Sequence, residues 1–202
     1  MLPFARRLRL LGLEVSIFSR HYPATGAAAA AVDLRQHLQS IKFRELHLVA
    51  HSFGGIVVLN LFDQLGATTA EATGIQSTTF IASPLAGAQL ASKLVNGRAG
   101  FFWRRMLGRS LETGLLEGVA AMEIPANSAF ITGEKKSLAS RLLQRDIEIG
   151  DGLVRFTETL AAEQPATRHV SVPLTHAGLL YSNQCSNLVH QFVSEGSFQA
   201  DW

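Results

Sequence analysis

The sequence predicts an α/β fold: a mostly parallel central sheet with helices on both faces. Three observations predict it. Short apolar stretches suited to strands alternate with helical stretches along the chain, the order that builds a parallel sheet covered on two sides. Charged residues are 17% of the chain and hydrophobic residues 47%, against a usual charged share of about 25%, so much of the surface of these elements is covered. The 202 residues suit one domain spanning 1–202, since a chain of this size buries about 70% of its unfolded surface and needs no disulfide or metal staple.

The elements follow in order. Phe4, Leu8 and Leu11 share one helical face, with Arg6, Arg7 and Arg9 largely off it. Gly12 supplies a left-handed stop. Leu13–Phe18 reads as a strand. A helix runs from about Thr25 to Gln39 and contains the alanine run Ala27–Ala31, alanine being the best helix former. Glu45–Ala50 is a short apolar strand, and Gly54–Leu65 an apolar helix ended by Gly66. Thr78–Ala82, Ser128–Thr132 and His169–Val172 are further strands. Gln184–Glu195 is a closing helix with Leu188 and Phe192 on one face and Ser182 placed to cap its start.

Composition excludes several classes. The net charge of +2 is too small to argue for nucleic acid. The single cysteine, Cys185, cannot form an internal disulfide. No apolar run reaches the ~18 residues of a membrane span. The N-terminus MLPFARRLRLLG places arginines where a signal peptide needs an apolar core, so the expectation is a cytoplasmic protein. Cysteine–histidine metal spacing is absent, and no metal or organic cofactor is expected.

Ligands in open parallel sheets bind at the carboxyl ends of the strands. The most informative stretch is Leu46–Phe62: a strand, then Ala50-His51-Ser52-Phe53-Gly54-Gly55, then a helix. A serine at such a turn is forced into a strained conformation, and its neighbours two before and two after must be small; here they are Ala50 and Gly54. Ser52 sits at a helix N-terminus, where the N–H of Phe53 can face an oxyanion. The plainer reading is a serine that only caps the helix. A serine nucleophile needs a base, and the order Ser, acid, His places both downstream. His176, in PLTHAG, lies just past the last strand, at the end where Ser52 emerges. His169 lies near that strand's start and His190 in the closing helix. Asp151, in IGDGLV, is the leading acid, with Asp146 in reserve and Glu158 third.

In this order, LVAHSFGG, GDGLV and PLTHAGLL resemble the serine α/β-hydrolases, and more narrowly the small bacterial lipase/esterase-like members; FIASPLAGA and VHQFVSEGSF resemble them too. The resemblance covers nearly the whole chain. It implies an α/β-hydrolase fold, Ser52 as nucleophile, Asp151 as acid, His176 as base, and hydrolysis of a small-molecule or lipid ester through an acyl-enzyme. Amidases, thioesterases and acyltransferases share the family, and a non-catalytic binding domain that kept the triad is a rival reading. The resemblance departs at one place. Such enzymes carry a strand and an HG-type loop before the first helix, and that loop gives the second oxyanion donor. The expectation is therefore an N-terminally short hydrolase: a miscalled start, a fragment, or a sheet that closes by pairing Leu13–Phe18 directly with Glu45–Ala50.

A long segment at about 88–123 lies between the expected strands Thr78–Ala82 and Ser128–Thr132, in a position suited to a lid. It holds Phe101, Phe102 and Trp103 beside Arg104 and Arg105. An aromatic cluster next to arginines could line an acyl pocket or touch an anionic lipid surface as a peripheral membrane contact; the alternative is a helical excursion packed on the core. His51 is a further candidate to line the substrate pocket.

Overall fold

Among the described residues, four strands form a parallel sheet in chain order, β1 (Leu46–His51), β2 (Ile75–Ile81), β3 (Ser128–Gly133) and β4 (His169–Val172). In the computed structural model, the described residues are 1–19, 26–66, 74–85, 122–135, 150–151, 154, 159 and 165–199. The register aligns His51 with Ile81, Ile81 with Ile131 and Ile131 with Val170. Because all four strands run the same way, their carboxyl ends share one edge of the sheet.

Helices cover both faces, as the apolar runs predict. On one face, α2 (Gly26–Ser40) and α3 (Phe53–Leu65) pack on Leu48, Ala50, Phe80 and Phe130. Ala27, Ala30 and Ala31 let α2 approach α3 closely, and α3 itself is buried along Ile56, Val57, Val58, Leu59 and Leu61. On the other face, α1 (Leu2–Leu10) and α4 (Asn183–Glu195) bring Phe4, Leu8, Leu188, Val189 and Phe192 onto Ile81, Ala129, Ile131 and Val172. Each large apolar side chain so buried contributes about 1.5–3 kcal/mol. The Ser182 hydroxyl caps α4, accepting from the Cys185 N–H at 3.3 Å, and Gly196 ends it with φ +72°.

Two expectations are corrected. Leu13–Phe18 forms no strand among the described residues, and β1 pairs there only with β2, so the sheet does not close by joining these two segments. The alternation of Leu13, Val15 and Phe18 is satisfied by packing instead: Leu13 and Val15 join the α1/α4 cluster and Phe18 the α2/α3 cluster. The Val15 carbonyl is taken by the Arg9 guanidinium at 2.6 Å, and Ser16 bonds the His37 ring at 2.9 Å. In α1, Ala5 rather than Leu11 completes the buried face, because the helix ends at Leu10 and leaves Leu11 exposed. Among the described residues no helix is long and apolar enough to cross a membrane. Nearly all of the 88–123 segment, with Phe101, Phe102 and Trp103, lies outside the described residues.

Candidate active site

The turn from β1 into α3 is sharp. Ser52 has φ +55° and ψ −128°, a region that costs a non-glycine residue about 1–3 kcal/mol. Its backbone is pinned on both sides: the Ser52 N–H donates to Ile81 at 2.9 Å, and the Ser52 carbonyl accepts from Gly55 at 3.0 Å. Its side chain makes no capping hydrogen bond to the helix. The plainer reading, a serine kept for capping, therefore lacks the bond that would justify it. Phe53 is the first residue of α3, so its N–H has no acceptor inside the helix.

The small residues of this turn act differently from one another. A Cβ on Gly54 would lie 3.9 Å from Ala50 Cβ, an ordinary contact. A Cβ on Gly55 would lie 2.4 Å from Ser83 Oγ and 2.5 Å from its Cβ. Gly55 is the residue that lets the loop after β2 press against the start of α3. That loop begins at Ala82, which also has a positive φ of +45°, so the two strained non-glycine residues among those described stand at the ends of adjacent strands.

Asp151 and His176 meet on the same edge. The Nδ1–H of His176 donates to Asp151 Oδ2 at 2.7 Å, with both side chains buried. Asp151 Oδ1 accepts the Val154 N–H at 2.8 Å, and the Asp151 carbonyl accepts the His176 N–H at 3.1 Å. Main chain and side chain of Asp151 therefore hold the same histidine. With Nδ1 carrying the donated proton, a neutral His176 keeps its lone pair on Nε2, the atom a general base uses.

His51, the residue before Ser52, reaches the same loop. Its Nε2–H donates to the His176 carbonyl at 3.2 Å, and the two rings are 4.6 Å apart between centroids. Burial, and next the neighbouring His176, push the His51 pKa down to about 4, against the opposing pull of its bond to the His176 carbonyl and of Asp151. His51 is therefore neutral near pH 7. The contact links the end of β1, one residue before Ser52, to the segment that carries His176.

A residue that sequence reasoning misses supports the pair. A Cβ on Gly133, the last residue of β3, would lie 2.5 Å from the Leu174 carbonyl oxygen and 2.6 Å from Asp151 Cβ. Only a glycine there lets the segments bearing Asp151 and His176 close over the strand end. Its signal is faint: a glycine ending an expected strand usually marks a turn. The two other downstream histidines lie on other elements. His169 begins β4 and bonds Thr132 Oγ1 at 3.2 Å, and His190 lies on α4. Asp146 and Glu158 lie outside the described residues, as do Phe101, Phe102 and Trp103.

No protein-family model and no curated protein matches the sequence. Solved structures do. The mature form of the Bacillus licheniformis lipase BlEst2 is similar at a TM-score of 0.60 and 16% identity, over 85% of this chain and 73% of that one. Of the propeptide form of that lipase this chain covers 40%. A pyrethroid hydrolase from Sphingobium faniae JZ-2 is similar at 0.58 and 13% identity, over 96% and 91%. The NocB thioesterase domain, solved in covalent complex with a fluorophosphonate nocardicin G analogue, is similar at 0.50 and 16% identity, over 95% and 88%. At these identities the likeness speaks to architecture, and with the sheet and helices described above it establishes that this chain has the α/β-hydrolase fold.

Proposed function

We propose that the chain is a serine hydrolase that cleaves carboxylic esters of small molecules or lipids through an acyl-enzyme on Ser52. The observation that carries this reading is the 2.7 Å bond between the buried Asp151 carboxylate and His176 Nδ1, at the strand edge where the strained, uncapped Ser52 turns into α3. That a lipase, a pyrethroid hydrolase and a thioesterase domain share the fold supports it.

In the proposed reaction His176 Nε2 takes the Ser52 Oγ proton as Oγ attacks the ester carbonyl carbon. The C=O electron pair moves to oxygen, and the Phe53 N–H donates to that oxyanion, helped by the positive end of α3. The Asp151 carboxylate stabilises the imidazolium. The intermediate collapses by breaking the bond to the alcohol oxygen, which takes the proton from His176. Water then enters by the same steps, releasing the acid and restoring Ser52. Asp151 matters because it fixes both the tautomer and the ring orientation of His176; in triads of this kind, altering the acid costs about 10⁴ in kcat.

The test is hydrolysis of p-nitrophenyl butyrate by the wild type, Ser52→Ala and Asp151→Asn. The expected result is a serine-dependent rate that falls by at least about 10³ in either variant. Binding of the ester with no turnover would favour a non-catalytic binder. Transfer of the butyryl group to an added alcohol faster than to water would make the protein an acyltransferase with the same nucleophile.

A further inference from the structure

His51 ends β1 and Ser52 follows it, yet the His51 ring engages a residue far along the chain. Its Nε2–H holds the backbone carbonyl of His176 at 3.2 Å, and its ring lies against the His176 ring, 4.6 Å between centroids and tilted by 48°. Among the described residues, the main-chain N–H and the Nδ1–H of His176 both go to Asp151, at 3.1 Å and 2.7 Å. Asp151 therefore ties the base to the acid segment, but it does not tie the base to the nucleophile. The His51 contact makes that second tie. Proton transfer from a serine needs the base within hydrogen-bond reach, and a misplacement of about 1 Å costs on the order of 10²-fold in rate.

We propose that His51 is a positioning residue for proton transfer, joining the strand that delivers Ser52 to the loop that carries His176 and setting the plane of the His176 ring. The proposal rests on the serine-hydrolase reading above. A neutral ring suits this role, because it donates one hydrogen bond and brings no second positive charge beside the imidazolium that forms in each turnover. Asp151 and His176 are the charged or titratable partners that act on it most strongly besides its own burial.

The test compares wild type with His51→Ala, His51→Phe and His51→Gln, each checked for folding by circular dichroism. Phe keeps a ring and loses the donor; Gln keeps a donor and loses the ring. Two measurements are made: kcat and KM on p-nitrophenyl butyrate, and the solvent exchange of the His176 Nδ1 proton in ¹⁵N-histidine-labelled protein. For folded His51→Ala, kcat should fall by about tenfold or more with KM within about twofold, and the Nδ1 proton should exchange faster. Phe and Gln should each recover part of both. Wild-type kcat and wild-type exchange in His51→Ala overturn the proposal, as does a loss that appears in KM alone. A wild type without esterase activity overturns the serine-hydrolase reading; the exchange measurement then decides the His51 tie by itself, with unchanged exchange in His51→Ala rejecting it.

Discussion

Replacing Gly133 with alanine adds one methyl group at the end of β3, in a place with no room for it. The new Cβ would sit 2.5 Å from the Leu174 oxygen and 2.6 Å from Asp151 Cβ, whereas comfortable contact is about 3.5–4 Å. The obstacles are a backbone carbonyl and the root of a buried side chain, so neither can swing aside. The segments bearing Asp151 and His176 must retreat by about 1 Å. Overpacking of this kind costs about 1–3 kcal/mol, which for a chain of this length is a fall of roughly 3–10 °C in Tm. The same retreat strains the 2.7 Å Asp151–His176 bond, and a displacement of this size lowers kcat by about 10². Differential scanning calorimetry and p-nitrophenyl butyrate kinetics read the two effects. Wild-type Tm together with wild-type kcat in Gly133→Ala would show that the placement of Asp151 and His176 does not depend on that gap.

Three other outcomes follow from the structure. Ser52→Gly relieves the strain at φ +55° and should raise stability by about 1 kcal/mol in urea unfolding while abolishing activity; lower stability would show that the conformation is not strained. The folded state holds the His51 pKa down at about 4, well below its ordinary value of 6.5, so the unfolded chain binds more protons between those values. Its contribution is full above about pH 6.5 and is lost as pH falls toward 4, by at most about 3 kcal/mol. His47 and His169, also lowered mainly by burial, act in the same direction. Urea midpoints at pH 7 and 4.5 should therefore differ more for wild type than for His51→Phe, and equal differences would contradict this. Cys185 is wholly buried, with its thiol pushed up to about 12 by that burial. Iodoacetamide should leave it unmodified in the native protein and alkylate it in urea; rapid native alkylation would show that α4 opens readily.

Much of the architecture is legible in the sequence because it rests on local signals. Apolar runs bounded by glycine or polar residues mark β1 to β4, and the His169–Val172 limits agree with the structure. Ser182 is readable as a cap from its place before an amphipathic helix. Ser52 is legible because the turn imposes its own steric demands within a few residues. Asp151 and His176 follow from chain order and family likeness, and the structure sets them 2.7 Å apart. What the sequence does not show depends on distant partners. Leu13–Phe18 alternates as a strand does, but alternation reports burial, and among the described residues this segment packs without a ladder. The need for glycine at position 55 comes from Ser83, and at position 133 from Leu174 and Asp151; no local pattern records such neighbours. The attention that Gly54 draws by its spacing from Ser52 is misplaced sterically, since the crowded position is the next one. His51 looks like a pocket residue because it adjoins Ser52, and its bond to His176 spans a separation of 125 residues.

The proposed chemistry requires Ser52 to be a nucleophile activated by the His176–Asp151 pair. The most direct measurement is treatment with a fluorophosphonate followed by intact mass and peptide mapping. One phosphonyl group per chain is expected, on the peptide containing Ser52, with capture slowed at least about 10³-fold in folded His176→Asn. Absence of capture by the wild type, capture at another residue, or capture that ignores the loss of His176 would contradict it.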